Sequence, residues 1–274
     1  MTQTARFLWI GPRLSAMERL CLRSFVDVGY DVELYRYGEV EGVPDGVRSC
    51  DAAAILSHDQ IFQRRSGFGA GGYAEFSDRF RYHLLLAKGG WWFDMDFAAV
   101  RLLPEPTDLR FCSTWEFEHG QCPMGAAMWS RPGDPRIAEL ARRADAIFAR
   151  DEEFTFGATG PFLVQSLVAE LGLQANVAPW WEFCPFPWRM HNRMAYRTNV
   201  DWAKDRVRHV MQLYKERTRS DFQAGYIRPG TRAVHWHNEI WKAGGHDKDG
   251  RYHAWSPYGR LMRRHGVNAS ARPV

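Results

Sequence analysis

Asp94 and Asp96 carry the strongest chemical signal in this sequence. They are separated by one residue and follow the apolar aromatic run Trp91-Trp92-Phe93. Side chains alternate along a strand, so two carboxylates at this spacing project the same way from its end. Their oxygens suit a hard divalent cation such as Mn²⁺ or Mg²⁺, which can neutralise a departing diphosphate. Asp78 and Arg81 lie three residues apart in a stretch with helical character. That spacing puts both on one face, where a carboxylate and a guanidinium can bond several sugar hydroxyls. The same pair also suits a surface ion pair near a helix start. His235 and His237 alternate after the short apolar Ala233-Val234. A lone His-x-His has too few ligands for a transition-metal site, and hydrogen-bonded rim or core histidines fit equally well.

These residues need elements to position them. Phe7 to Ile10 reads as a buried first strand ending at Gly11-Pro12. Ser15 and Glu18 form a capping box, with Met17, Leu20, Cys21, Ser24, Phe25 and Val28 at helical spacing before Gly29. Asp31 to Tyr37 alternates as a second strand. This β-α-β opening predicts an α/β fold with a mostly parallel central sheet flanked by helices. Gly67 to Gly72 is a glycine-rich loop without phosphate-cradle spacing. A helix is expected from Ser77 to Lys88, stopped by Gly89-Gly90, and residues 91–93 form the strand that delivers Asp94 and Asp96. Pro104 and Pro106 then break the chain.

The second half is less regular. Helices are expected from Pro135 to Ala149, Phe162 to Leu171 and Ala203 to Tyr214, with a last strand at 233–234. Trp180, Trp181, Phe183, Phe186 and Trp188 sit in a proline-framed segment that suits an acceptor platform or core packing. The whole chain, 1–274, is read as one domain, with a donor-nucleotide half to about residue 110 and an acceptor half from about 111.

With 36 Lys+Arg against 32 Asp+Glu, net charge +4, the chain is too balanced for a nucleic-acid binder. The excess is placed late: no acidic residue follows Asp249, while Arg251, Arg260, Arg263, Arg264 and Arg272 do. Such a C-terminus suits peripheral contact with anionic lipid or a phosphorylated ligand, or a solvated face. Five scattered cysteines without a CxxC motif suggest neither a disulfide scaffold nor a zinc site. No signal peptide and no membrane-length apolar run are seen, so a cytoplasmic protein is expected.

Ser77-Asp78-Arg79-Phe80-Arg81, followed by Gly89-Gly90-Trp91-Trp92-Phe93-Asp94-Met95-Asp96, resembles the SDxxR…GGxYxDxD signature of the DXD sugar-binding glycosyltransferases. That group includes yeast-type mannosyltransferases, α-1,4-glycosyltransferases, capsular polysaccharide enzymes and clostridial toxin catalytic domains. Trp9-Ile10-Gly11 resembles the end of that family's first strand. His235-Trp236-His237-Asn238 with Trp241 resembles its C-terminal HxWN…W segment, and Thr159-Gly160-Pro161 its TGP segment. The last also fits a helix start with Pro at the first position. The pieces span about residues 7 to 241 in family order.

The resemblance implies a GT-A fold, a UDP-linked hexose donor, Mn²⁺ or Mg²⁺, and retention of anomeric configuration, with a glycan or lipid-linked acceptor. It implies that Trp9 and Ile10 meet the donor base and that Asp78 and Arg81 grip the sugar. Asp94 would contact ribose or metal water, Asp96 the metal, and His235 the metal or diphosphate. Asn238 would join the donor site, and Trp241 would close over the phosphates. Trp92 stands where the family has Tyr and is carried over with it as a donor contact; His237 stands where the family has Trp, so it is the alternative third ligand to His235. Two other readings remain: a DxD phosphohydrolase with Asp94 as nucleophile, and a non-catalytic nucleotide-sugar-binding module. The phosphohydrolase pattern wants Thr or Val soon after the second Asp, whereas Phe97 follows Asp96.

Overall fold

A computed structural model describes residues 3–150 and 155–268. In chain order its elements are β1 (Thr4–Trp9), α1 (Ala16–Val28), β2 (Asp31–Arg36), β3 (Val47–Asp51), α2 (Ala74–Lys88), β4 (Gly90–Phe93), β5 (Phe97–Ala99), β6 (Arg110–Glu116) and β7 (Gly120–Ser130). There follow α3 (Pro135–Phe148), α4 (Pro161–Glu170), α5 (Trp180–Phe183), α6 (His191–Met194), α7 (Asn199–Thr218), β8 (Ala233–His235), α8 (Asn238–Ala243) and α9 (Pro257–Arg264).

The main sheet has the order β3-β2-β1-β4-β7-β6. β1 pairs in parallel with β2 on one side and β4 on the other, and β2 with β3. β7 and β6 add antiparallel strands beyond β4. This is the expected α/β fold with a mostly parallel sheet. Successive strands leave β1 in opposite directions, so the carboxyl ends of β1 and β4 border a topological switch point. Open α/β sheets bind ligands there. Trp9 ends β1, and Asp94 follows β4 directly.

Local chemistry explains the frame. The Ser15 backbone N–H donates to Glu18 at 2.9 Å and the Ser15 hydroxyl caps Met17, closing the capping box of α1. Gly29 ends that helix at φ 101°, a left-handed position glycine occupies without strain. Helix α2 begins three residues before the expected Ser77, because Ala74, Glu75 and Phe76 are already drawn into the fold. It buries Phe76, Phe80, Leu84 and Leu85 under the sheet, and Asp78 and Arg81 as well. One apolar cluster packs α1 against the sheet through Phe7, Phe25, Phe93 and Trp91. A second joins α2, α3 and α4 through Phe80, Trp92, Ile137 and Val164.

The β6–β7 hairpin is absent from the sequence reading. Pro123 and Gly125 interrupt β7's pattern, and a register shift between Phe111 and Cys112 accommodates the irregularity. The aromatic segment at 180–188 is core: Trp180, Phe183 and Phe186 are buried, and none of its residues lines the main cleft. No helix among the described residues is long and apolar enough to cross a membrane. Arg251, Arg260, Arg263 and Arg264 are exposed, while Arg272 lies outside the described residues.

Candidate functional site

A cleft of about 530 Å³ opens at the switch point. Its lining includes Trp9, Ile10, Asp78, Arg81, Asp94, Asp96, His235, His237 and Asn238. Residues from both ends of the chain therefore meet in one place. Strand β4 delivers Asp94, and the turn after it brings Asp96 to the start of β5. β5 pairs antiparallel with β8 in a separate two-stranded sheet, with Phe97 opposite His235. The Trp236 N–H donates to the Asp96 carbonyl at 2.9 Å, so the histidine segment is pinned to the carboxylates through its backbone.

One guanidinium joins two of the acids. Arg81 Nη1 lies 2.8 Å from Asp78 Oδ1, and Nη2 donates to Asp94 Oδ1 at 2.7 Å. Its plane stands over the Trp92 ring at 5.5 Å. Trp92 is almost fully buried and absent from the cleft lining, so it is not the donor contact the resemblance implies. Its indole N–H instead donates to Asp94 at 2.8 Å, holding that carboxylate from behind. Asp78 Oδ2 accepts from the Thr159 hydroxyl at 3.0 Å, which gives the Thr159-Gly160-Pro161 segment a role besides starting α4. Gly125 on β7 leaves room for the guanidinium: a Cβ there would sit 3.1 Å from Arg81 Nη1.

The three acids are not equivalent. Burial pushes the Asp78 carboxyl up to about 7 against the pull of Arg81. Burial also raises Asp94, with Arg81 opposing and the Asp96 carboxylate adding to the rise. Burial would raise Asp96 too, but His235 beside it and the Asn238 N–H outweigh that and hold it well below the usual carboxylate range. The Asp96 Oδ2 accepts from Asn238 N at 2.7 Å and lies 3.1 Å from His235 Nε2. Burial lowers His235, yet the Asp96 charge prevails and raises it.

His237 differs. It is the only non-glycine among the described residues with positive φ, at 55°. Its Nε2 lies 3.1 Å from the Phe186 carbonyl, which can only accept, so Nε2 carries the proton and Nδ1 the lone pair. Burial, then the neighbouring His235, push it down to about 3, so it is a neutral imidazole at pH 7.

Asp96 Oδ1 is buried and has no hydrogen-bond partner. A charged, orphaned oxygen at a cleft calls for a cation. Among the described residues, no group of three or more His, Cys, Asp or Glu stands arranged to enclose a metal on its own. The donor set therefore fits an ion that takes one or two carboxylates and completes its shell from phosphate oxygens and water, as Mg²⁺ and Mn²⁺ do.

Trp241 does not reach the cleft. It is fully buried, packed on Trp236 and Tyr258 at ring-centroid distances of 6.2 Å and 5.1 Å. It supports the segment that carries the histidines and does not lie over phosphates. Sequence reasoning missed the cations at the cleft, Lys242 and Lys248. Lys248 Nζ sits 2.5 Å from Glu18 and 6.0 Å from the Trp9 ring centroid. It also missed Phe68, Tyr73 and Phe156, which supply the cleft's aromatic faces. The glycine-rich loop was a signal for the first two, since Phe68 belongs to it and Gly71 and Gly72 line the cleft.

No protein-family model matches this chain. No curated protein matches it either. Among solved structures, it is similar to the PaToxG glycosyltransferase at 14% identity and TM-score 0.49, over 97% of this chain and 85% of that one. It is also similar to the UDP-bound glycosyltransferase domain of the YGT toxin, at 10% identity and TM-score 0.47, over 97% of each chain. A third is the galactosyltransferase LgtC in complex with donor and acceptor sugar analogues, at 10% identity and TM-score 0.42, over 98% of this chain and 97% of that one. Each of these three is a glycosyltransferase. At such identities the likeness is one of chain course, and what the cleft does must come from its own residues.

Proposed function

We propose that this protein is a divalent-metal-dependent, retaining glycosyltransferase that moves a hexose from a UDP-sugar to a glycan or lipid-linked acceptor. The observation that carries this reading is the row Asp78–Arg81–Asp94 beside the ionised Asp96, which lines the same cleft and whose Oδ1 is buried without a partner. Phosphohydrolysis fits less well, because Asp94 Oδ1 is already held by Arg81 and Trp92. Asp96 would hold Mn²⁺ or Mg²⁺ directly, with Asp94 beside it. Neither histidine closes a protein cage around the ion; His237, with its Nδ1 lone pair, is the one placed to bond the ion's water or phosphate shell, since His235 faces Asp96 with Nε2 and Cys184 with Nδ1. The bound ion would supply charge for the departing diphosphate.

The chain's own residues do the rest. Trp9 and Ile10 offer an apolar face to the donor base at the end of β1. Lys242 and Lys248, paired with Glu239 and Glu18, offer ammonium N–H donors for phosphates. Asp78 and Arg81 fix sugar hydroxyls at a rigid wall, and Phe68, Tyr73 and Phe156 provide flat faces for sugar rings. Glu75 is tied through Oε1 to Arg64 at 2.5 Å, with Oε2 unpartnered, and Glu18 is tied to Lys248; a cation on each carboxylate weakens it as a nucleophile. We therefore favour attack of the acceptor hydroxyl on the face the diphosphate leaves, the hydroxyl proton passing to the leaving phosphate oxygen.

The test is a screen of UDP-, GDP- and CMP-sugars with Mn²⁺ or EDTA, read by thermal shift and nucleotide release. A Mn²⁺-dependent shift and slow hydrolysis with one UDP-sugar, both lost in Asp96→Ala, support the reading and name the donor. Folded protein that binds no nucleotide sugar with metal present refutes it.

A further inference from the structure

Helix α7 is mounted inside out. A helix on the surface of a soluble protein turns its apolar stripe to the core and its charges to water. In α7 the residues turned inward are Asp201, Asp205, His209, Gln212, Leu213 and Glu216, all polar but one. Polar contacts tie that underside to the body. Arg193 Nε donates to the buried Asp205 at 2.8 Å, and its Nη2 lies 3.3 Å from His209 Nδ1. Glu216 pairs with Arg228 and accepts from Ala224 N.

The outward stripe is apolar. Val200, Val207, Met211 and Tyr214, spaced i, i+7, i+11 and i+14, are 54–69% exposed, and Val210 beside them is 67% exposed. Basic residues border the stripe on both sides: Lys204, Arg208 and Lys215 along one, Arg206 and Arg217 along the other, all exposed. The three acids of the helix, Asp201, Asp205 and Glu216, are all on the underside. Trp255, 60% exposed, continues the patch at the helix start. There His253 Nε2 lies 2.8 Å from Asn199 Oδ1, and the Arg263 guanidinium stands over the Trp255 ring.

We infer that the outer face of α7, with Trp255, is a docking surface for an anionic phospholipid membrane. An apolar stripe between two rows of Lys and Arg, with aromatic residues at its margin, is how a helix lies in the headgroup region of a bilayer. The charges choose the occupant. A protein partner would need acidic rows at matching spacing on both sides of an apolar groove, whereas an anionic bilayer presents that charge everywhere. The docking helix is thus α7, and the arginines of α9 are its neighbours rather than the main contact.

The experiment is vesicle flotation of the full chain, without donor or metal, so its outcome is separate from the transferase reading. Wild type should float with phosphatidylglycerol–phosphatidylcholine vesicles, stay behind with phosphatidylcholine alone, and release as salt rises. The double variant Val207→Glu/Met211→Glu, at exposed positions, should keep its melting temperature and lose binding by roughly tenfold or more. Lys204→Glu/Lys215→Glu should lose a similar factor, more so at low salt. Equal flotation of wild type and both variants would overturn the proposal. So would a wild type that ignores anionic vesicles but sediments as a dimer that Met211→Glu dissolves, which would make the stripe a contact between copies.

Discussion

The Nε2 of His235 stands 3.1 Å from Oδ2 of Asp96, two residues separated by 139 positions in the chain. One oxygen of Asp96 is spent on His235 and Asn238, and the other is buried without a partner. Asp96→Asn keeps the volume and removes the charge. Donor hydrolysis should then fall by about 10²-fold or more, the scale of losing one preorganised electrostatic group. The Mn²⁺-dependent thermal shift with nucleotide should vanish while circular dichroism stays native. Retained metal dependence in this variant would move the ion away from Asp96.

Arg81 holds Asp78 and Asp94 apart in a buried setting. Arg81→Met leaves both carboxylates unpaired, and breaking such a buried pair costs about 3–5 kcal/mol. Arg81→Lys should fall between, since a single ammonium lacks the two spaced, rigid N–H groups that bridge Asp78 and Asp94. Urea unfolding measures both. Wild-type stability in Arg81→Lys would show that the bridging of two carboxylates by one guanidinium contributes nothing.

Asp78 gives a pH signature of defined sign. Its carboxyl rises from the ordinary 3.8 to about 7 on folding, so the folded state binds more protons between those values. Its contribution to stability is full below 3.8 and is lost as pH rises through 7. Asp96, held low, acts oppositely, and its contribution is lost as pH falls below the ordinary carboxylate range. In metal-free buffer, Asp78→Asn should gain on wild type from pH 4 to about pH 7 in thermal melts and level off above it. Parallel melting curves over that interval would place Asp78 in an ordinary ionised state.

Gly160 has an ordinary φ of −105°, but a Cβ there would lie 2.6 Å from Asp78 Oδ2. Asp78 cannot easily yield, being fixed by Arg81 and Thr159. Gly160→Ala should therefore shift this carboxylate and lower donor turnover by about tenfold, one such contact being of order 1–3 kcal/mol. An unchanged kcat/KM would mean that Asp78 is not held where the sugar needs it.

Much of this was legible because it is local. The capping box of α1, Gly29 as its stop, and Asp94 and Asp96 after an aromatic strand each depend on residues within a few positions. The proximity of Asp96 and the histidine segment came from matching a motif, and the structure supplies its physical cause in the β5–β8 pairing. What stayed hidden depends on distant neighbours. Pro123 and Gly125 mask β7, which is held by β4 and β6 on either side. Trp241 reads as a ligand-facing aromatic until Trp236 and Tyr258 enclose it. Lys248 looks like one basic residue among 36 until Glu18 and Trp9 meet it. The reversed helix α7 offered a visible pattern, but which side faces the protein is decided by Arg193 and Arg228.

The three-residue pairing of β5 with β8 also sets when this protein can acquire its site during synthesis. Strands β1 to β4 and the helices between them can assemble once the first half of the chain has left the ribosome. Asp96 meets His235 and Asn238 only after some 140 further residues have emerged, and contacts so remote in sequence are slow to close. A nascent chain can thus carry a formed sheet with an unfinished cleft, and the cleft is completed as one of the last events of folding.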